Sequence, residues 1–195
     1  MPKPKLIVIS APSGCGKTTI AREILHRHPE MLFSVSATTR TKREHEEHGR
    51  DYFFLASQEF RRKIDLQELA EWEEIYGNYY GTLKSEIDAA LGKGRSMMFD
   101  IDVNGALSIK RLYPEDAVLI YIKPPSIEVL TERLKNRNTE TPETIRKRLE
   151  RVPMELGKAA EFDFALVNDD LRKAVDAVDA IVVKALNSSL NEQGS

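Results

Sequence analysis

A short apolar run followed at once by a glycine-rich loop constrains the fold of this chain more than any other feature of its sequence. Residues 6–9, LIVI, are apolar and mostly β-branched without alternation, which is typical of a strand buried on both faces of a parallel sheet. The loop 11–19 follows, and the apolar positions Ile20 and Ile24 then have helical spacing. Strand, loop and helix in this order predict the start of an α/β domain.

The same pattern returns along the chain and predicts one parallel sheet. Residues 97–101, 118–122 and 164–167 have the composition of further buried strands. Helical stripes follow in two places, one from 127 to 134 with Ser126 as its N-cap and one from 170 onward. The predicted fold class is therefore α/β, with a parallel sheet flanked by helices.

Two stretches depart from this rhythm and divide the chain. Residues 37–85 combine polar turns, aromatic pairs and short β-like runs, which favours a small mixed α+β insertion. Residues 133–151 are charge-dense and helical, and Pro153 is expected to kink or end their second helix. They contain seven Lys or Arg and three Glu, which gives a net charge of +4. Since the whole chain has a net charge of −2, the remaining residues carry −6. The predicted core then comprises residues 1–36, 86–132 and 152–195.

Composition and charge exclude several classes of protein. The 195 residues include 29 Lys and Arg and 31 Asp and Glu, and the net charge of −2 argues against a general nucleic-acid binder. The only cysteine is Cys15, which excludes an intramolecular disulfide framework and is typical of a cytoplasmic protein. No apolar run approaches the roughly 18 residues of a membrane span, and the run at 6–9 is too short for a signal peptide.

The loop 11–19 matches the phosphate-binding pattern G-x-x-x-x-G-K-[ST] from Gly16 onward, with Ala11 in place of the first glycine. Glycines let backbone N–H groups turn toward phosphate oxygens at the N-terminus of the following helix. Lys17 is expected to reach the β- and γ-phosphates of ATP, and the Thr18 hydroxyl to ligate Mg²⁺ together with water molecules. The predicted ATP-binding residues of the loop are Ser13, Gly14, Cys15, Gly16, Lys17, Thr18 and Thr19.

The position of Cys15 in this loop leaves two interpretations open. In the first, only its backbone N–H contributes to the loop, and the thiol is a small filler. In the second, the N-terminus of the helix lowers the pKa of the thiol, so that alkylation would block ATP binding.

A second cluster of charged and aromatic residues lies in the predicted insertion. Arg40 and Arg43, with Tyr52 nearby, can clamp a phosphate dianion through charge-assisted hydrogen bonds. A solvated charged loop explains the same residues equally well. The acidic and histidine-rich stretch 44–48 is unexpected beside a phosphate clamp.

Five further motifs accompany the loop 11–19, namely SVSxTTRxxR at 34–43, GxDY at 49–52, GxYYGT at 77–82, DID at 100–102 and VNDD at 167–170. In this order and spacing they resemble the guanylate kinase family along nearly the whole chain. The resemblance implies a P-loop NTPase core, a GMP-binding insertion at 37–85 and a lid at 133–151. It also implies transfer of the γ-phosphate of ATP to GMP with Mg²⁺ as cofactor, and dGMP is a further candidate acceptor.

The resemblance also assigns residues to the two nucleotides. It puts the GMP phosphate against Arg40, Arg43, Tyr52 and Tyr80, and the guanine edge against Ser36, Glu71 and Thr82. A carboxylate such as Glu71 accepts the adjacent N1–H and N2–H donors of guanine, and such sites reject a wrong base by about 10⁴-fold or more. Without the resemblance, Glu71 would be one more exposed acid in an acidic run. Asn168 resembles an adenine contact, although a place at the start of the last helix explains it equally.

Further residues follow from their positions in the sheet and in the lid. Asp100 and Asp102 end a buried strand at the edge where α/β sheets bind ligands, and we expect them near Mg²⁺ and GMP in either order. In the lid, the resemblance favours Arg137 and Arg148 as contacts of the transferring phosphoryl group, with Arg133 as a weaker candidate.

Two other functions remain open from the sequence. A P-loop kinase that acts on another nucleoside monophosphate would share the loop 11–19 and the lid. An inactive guanylate-kinase-like interaction module would share the fold, but we would expect it to have a damaged loop and companion domains. Because Lys17 and Thr18 are intact, the predicted function is that of an ATP:GMP phosphotransferase.

Overall fold

Helices and strands alternate through residues 3–75, 77–136 and 142–187, the part of the chain described by a computed structural model. The strands there are β1 (Leu6–Ser10), β2 (Leu32–Phe33), β3 (Ala37–Thr38), β4 (Phe53–Phe54), β5 (Leu69–Ile75), β6 (Asn78–Leu83), β7 (Met97–Asp100), β8 (Ala117–Lys123) and β9 (Phe164–Val167). The helices there are α1 (Lys17–Arg27), α2 (Ser57–Asp65), α3 (Lys84–Gly92), α4 (Val103–Leu112), α5 (Ile127–Lys135), α6 (Pro142–Gly157) and α7 (Leu171–Asn187), and a 3-10 turn spans Lys158–Glu161. No helix within these ranges has the length and apolar composition needed to cross a membrane.

The main sheet is parallel, with the strand order β2–β7–β1–β8–β9. In its centre Val8 of β1 lies beside Phe99 of β7 on one side and Leu119 of β8 on the other. Helices connect the strands, so the carboxyl ends of the strands lie at one edge of the sheet. The predicted α/β class is confirmed, and the four predicted strands correspond to β1, β7, β8 and β9. The prediction that 164–167 is a buried strand is wrong, because β9 lies at the edge of the sheet and exposes Phe164 and Val167.

The central strand β1 is buried on both faces, as the apolar run at 6–9 predicts. Ile7 packs into a cluster that includes Ile24 of α1 and Val178 of α7. Val8, which points to the opposite face, packs into a second cluster that includes Ile109 of α4. The hydrophobic core therefore consists of two layers of helix contacts with the sheet between them.

The segment predicted as an insertion forms a second sheet, with the order β4–β3–β6–β5. Strands β5 and β6 are antiparallel neighbours, and β3 pairs with β6. Phe60 of α2 is fully buried against this sheet, in a small cluster with Leu69 and Leu83. This sheet thus has an apolar cluster of its own, although Ala70 of β5 packs into the second cluster of the main sheet.

Of the two outcomes predicted for Pro153, a kink or an end of the helix, the end is wrong, because α6 continues to Gly157. Pro153 lies on the exposed side of the helix. Because proline has no N–H, the carbonyl one turn earlier in the helix lacks its usual donor, and water can donate to that carbonyl instead. Val152 and Glu155 are buried on the opposite side. The last turns of α6 therefore pack against the rest of the molecule and fix the direction in which its first turns project.

Two neighbouring valines of α7 test how much the core depends on this packing. Val182 is fully buried and Val183 is 41% exposed, so we expect Val182→Ala to lower the free energy of unfolding by about 2 kcal/mol, through lost apolar burial and a residual cavity. Val183→Ala should change it by less than about 0.5 kcal/mol. Urea denaturation measures both, and equal effects of the two substitutions would contradict the packing described here.

Candidate active site

The loop between β1 and α1 contains two positions that favour glycine. Gly14 has φ 94° and Gly16 has φ 82°, both in the left-handed region. A Cβ on Gly14 would lie 2.9 Å from Leu134 Cδ2, and a Cβ on Gly16 would lie 2.8 Å from Asn168 Nδ2. Conformation and close packing therefore both require glycine, and the backbone of the loop lies against the N-terminus of α1, where helices bind phosphate.

Side chains from the loop and from β7 meet at the carboxyl edge of the main sheet. Lys17 Nζ lies 2.7 Å from Asp100 Oδ1 and donates a hydrogen bond to the Ile101 carbonyl at 3.0 Å. The Thr18 hydroxyl donates to Asp100 Oδ2 at 2.6 Å. A hydroxyl beside a carboxylate offers the oxygen ligands that Mg²⁺ prefers, so the residues present fit this ion.

Asn168 lies beneath the loop and is only 3% exposed. Its side-chain Nδ2 donates a hydrogen bond to the Cys15 carbonyl at 2.8 Å. Its backbone carbonyl accepts a hydrogen bond from Arg133 Nη2 at 3.1 Å. It does not cap the last helix, because Asp170 does so by accepting from the Lys173 N–H at 2.9 Å. Asn168 thus holds the phosphate loop in place, and its predicted contact with ATP stays a prediction.

The Cys15 thiol is fully buried. Burial raises the pKa of this thiol to about 12, against a smaller opposing effect of the Arg133 charge. The hypothesis that the helix N-terminus makes Cys15 reactive is therefore wrong, because desolvation of the thiolate outweighs the favourable charges around it.

Arg40, Tyr52 and Tyr80 lie close together in the insertion. The Arg40 guanidinium carbon lies 5.3 Å from the centre of the Tyr52 ring, and the rings of Tyr52 and Tyr80 meet edge to face at 6.2 Å. Arg43 follows in the same loop and is exposed. The structure thus brings together three of the four residues that the resemblance assigns to the GMP phosphate, and it leaves Arg43 exposed nearby.

Glu46, to which the sequence analysis gave no role, orients Arg40. Its two carboxylate oxygens accept hydrogen bonds from Arg40 Nη2 at 2.7 Å and Nη1 at 3.0 Å, and one of them also accepts from the Arg43 N–H at 2.8 Å. Glu46 is 7% exposed, and these bonds lower its pKa to about 2. Its spacing after Arg40 and Arg43 is the only signal in the sequence, and an exposed charged loop would show the same residue types.

Glu71 of β5 and Thr82 of β6 lie directly opposite each other on neighbouring antiparallel strands of the second sheet. The Thr82 hydroxyl donates to Glu71 Oε1 at 2.6 Å. Burial, and then the charges of Asp102 and Glu73, raise the pKa of Glu71 to about 7, although the bond from Thr82 opposes this shift. Glu71 is therefore a desolvated hydrogen-bond acceptor rather than an exposed acid of an acidic run. Ser36 lies directly before β3 in the same sheet.

Asp102 has different neighbours from Asp100. Its Oδ1 accepts from the Gly105 N–H at 2.7 Å and so caps α4, and its charge acts on Glu71. Asp100 instead contacts the phosphate loop. Asp100 thus lies beside Thr18 and Asp102 beside the second sheet, and which of the two serves Mg²⁺ and which GMP stays a prediction.

The first turns of α6 reach over the phosphate loop. Arg148 Nη1 donates to the hydroxyl of Ser13. Arg151, one turn further along, lies 2.9 Å from Glu73 of β5. Arg137 lies outside the described residues, so its predicted role stays a prediction.

A cleft of about 570 Å³ lies between these elements. Its walls are the phosphate loop, Asp102, the end of β5 and the inner face of α6, and its lining residues include Lys17, Thr18, Thr19, Glu73, Glu74, Lys147, Arg148 and Arg151. The wall formed by the phosphate loop thus suits a triphosphate. Another wall is the end of β5, whereas Glu71 and Arg40 do not line this cleft. Such a cleft is that of a P-loop phosphotransferase with a separate acceptor site.

Comparison with known proteins agrees with this class. The sequence model of the family described as guanylate kinase matches residues 3–185. The guanylate kinase of Chlorobaculum tepidum is 49% identical over 174 residues, which are 89% of each chain, and that of Porphyromonas gingivalis is 48% identical over 89% of this chain and 94% of its own. The crystal structure of guanylate kinase from Anaplasma phagocytophilum superimposes with a TM-score of 0.74 at 29% identity, covering 95% of this chain and 88% of that one. The chain belongs to the guanylate kinase family.

The burial of Cys15 leads to a direct prediction. With a pKa of about 12, only about 10⁻⁴ of the thiol is ionised at pH 8, and no part of it is exposed. Because Cys15 is the only cysteine, titration with dithionitrobenzoate should detect no thiol in the folded protein within minutes and one per chain in guanidinium chloride. Labelling of the folded protein at the rate of a free cysteine would show that the loop is open.

The raised pKa of Glu71 should make the stability of the chain depend on pH. Between the usual pKa of 4.5 and the folded pKa of about 7, the folded state binds the additional proton, so stability falls as the pH rises through this window. Glu71→Gln removes this loss. We expect the advantage of the variant over the natural chain in urea unfolding to grow by on the order of 2 kcal/mol from pH 5 to pH 8. Glu74→Gln, at the exposed neighbouring position, is the control and should show no such growth.

Proposed function

We propose that this chain transfers the γ-phosphoryl group of ATP to GMP, giving ADP and GDP. The observation that carries the proposal is a cleft lined by the phosphate loop, by Asp102 and by Glu73 and Glu74 of β5, the strand that also bears Glu71. Membership of the guanylate kinase family supports the same reaction. A nucleoside monophosphate kinase for another base would not need a desolvated acceptor at Glu71.

The ATP phosphates bind at the loop, through the backbone N–H groups of 13–19 and the Lys17 ammonium group. Thr18 and Asp100 are the residues that would hold Mg²⁺, because their oxygens already lie side by side. When bound, this ion supplies positive charge that neutralises the phosphate oxygens. Lys17, now 2.7 Å from Asp100, is within reach of the same place.

The acceptor binds on the second sheet. Arg40, Arg43, Tyr52 and Tyr80 hold its phosphate, and Ser36, Glu71, Thr82 and Asp102 surround the guanine and ribose. Glu71 accepts the N1–H and N2–H of guanine only when it is ionised, and with a pKa of about 7 the free protein is poised for this. Thr82 fixes one oxygen of that carboxylate, which orients the pair of lone pairs used for guanine.

The transfer itself needs positioning and charge neutralisation rather than a covalent group. An ionised GMP phosphate oxygen attacks the γ-phosphorus in line, so no general base is required. Lys17, Arg137 and Arg148 stabilise the charge on the transferring group. The contact of Arg148 with Ser13 supports its place above the phosphate loop.

The proposed division of the chain follows from this arrangement. Residues 1–36, 86–132 and 152–195 form the core, residues 37–85 the GMP-binding insertion and residues 133–151 the lid. The separate apolar cluster of the insertion supports its movement as a unit. Closure of both units over the core would exclude water from the reaction. A cytoplasmic location stays a prediction from the single cysteine.

A coupled ADP-release assay with MgATP and each nucleoside monophosphate tests the proposal. We expect turnover with GMP, weaker turnover with dGMP, and values of kcat/KM for AMP, UMP and CMP that are lower by about 10³-fold or more. Lys17→Met should reduce turnover by about 10³-fold while the protein stays folded, which a cooperative thermal unfolding curve shows. A preference for any other base, or full activity of Lys17→Met, would overturn the proposal.

A further inference from the structure

One arginine of the lid helix contacts carboxylates from three parts of the chain. Arg151 Nη2 lies 2.9 Å from Glu73 Oε1 in β5 and 3.5 Å from Asp102 Oδ2 at the start of α4. Arg151 Nε lies 3.6 Å from Glu155 Oε1, one turn further along α6. The second sheet, the main sheet and the lid helix therefore meet at a single guanidinium group.

These carboxylates lie so close together that they need a cation. Burial raises the pKa of both Glu73 and Glu155, and the neighbouring Asp102 raises both further, while Arg151 lowers them. A guanidinium group has five N–H donors in one plane and can satisfy several carboxylates at once. Removing one member of such a partly buried group leaves the remaining charges uncompensated, which affects the structure more than loss of an exposed ion pair.

The position of Glu73 connects this cluster to the acceptor site. Glu73 lies two residues after Glu71 in β5, so both side chains project from the same face of the second sheet. It also lies directly opposite Tyr80 of β6. Three residues before Arg151, on the same side of α6, Arg148 contacts Ser13 of the phosphate loop.

We propose that Arg151 is a positioning residue for phosphoryl transfer. Through Glu73 it ties α6 to the acceptor face of the second sheet, and it thereby sets Arg148 over the phosphate loop when both nucleotides are bound. In this role Arg151 acts through α6, by its pairs with Glu73, Asp102 and Glu155, rather than by a bond to either nucleotide. The link makes each nucleotide bind more tightly in the presence of the other, because both then favour the same position of α6. This inference rests on the proposed transfer from ATP to GMP.

A double-mutant cycle tests the link. Arg151→Gln and Glu73→Gln should each lower kcat by about tenfold and change the two KM values by less than about threefold, because alignment of Arg148 rather than initial binding is lost. Calorimetric titration with a non-hydrolysable ATP analogue, with and without GMP, measures the mutual enhancement of binding. We expect each substitution to reduce this enhancement by about fivefold, and the double variant to show no further loss.

Arg146→Gln is the matched control, since Arg146 is exposed and pairs at 3.8 Å with Glu150 of the same helix. It should leave kcat and the enhancement unchanged. If Arg151→Gln behaves like this control, or if the losses of the two single variants multiply in the double variant, the positioning role is overturned.

Two further measurements keep the outcomes separate. If thermal unfolding shows that Arg151→Gln does not fold, the test rests on Glu73→Gln alone, because that variant leaves Arg151 with two carboxylates. A normal kcat and a normal mutual enhancement of binding in Glu73→Gln would then overturn the proposal. Turnover of the natural chain with GMP is measured first. Its absence would overturn the proposed function together with this inference, whereas turnover with unaffected variants would overturn only the role of Arg151.

Discussion

Burial of β1 on both faces is the constraint on which the rest of the structure depends. A strand without exposed residues needs a neighbouring strand on each side and helices on both faces of the sheet. Because the neighbours of β1 are parallel to it, each is reached by a crossover connection that runs along one face of the sheet. The carboxyl ends of the strands then gather at one edge. Lys17 and Asp100, which are far apart in the sequence, meet there at 2.7 Å. The phosphate loop and the start of α4 occupy the same edge for the same reason.

Three of the cationic groups assigned to phosphate already have oxygen partners in the protein. Lys17 contacts Asp100, Arg40 contacts Glu46 through two hydrogen bonds, and Arg148 contacts Ser13. These contacts hold flexible side chains in position before a nucleotide binds, so less conformational entropy is lost on binding. A phosphate must then share or replace each partner. Glu46 differs from the others because the hydrogen bonds from Arg40 and from the Arg43 N–H lower its pKa to about 2 and keep it charged, although burial opposes this. It can therefore orient Arg40 in the free and the bound protein alike.

The sequence predicts elements whose signal is local and misses those that depend on distant contacts. The apolar runs at 6–9 and 118–122 become β1 and β8 because burial on two faces leaves an unbroken apolar pattern. Strand β2 contains two residues and exists through its pairing with β7, which no local pattern encodes. Of the site, the phosphate loop is predictable from spacing alone. The roles of Glu46 and Asn168 depend on which buried partner each one meets, and residue type does not reveal this.

The contacts of Arg151 with Glu73 and Asp102 show which of the lid's charges act at short range. Residues 133–151 carry a net +4, and the charge of Lys17 at the phosphate loop is already paired with Asp100. Glu73 and Asp102 supply attraction for Arg151 at short range and with little solvent between, whereas exposed charges of α6 such as Arg146 are screened within about 10 Å at 0.1 M salt. Closure therefore depends less on the total charge of the lid than on which arginine meets which acid. In the proposed mechanism Glu73 lies beside the acceptor site, so occupation of that site and the position of α6 depend on the same group of charges.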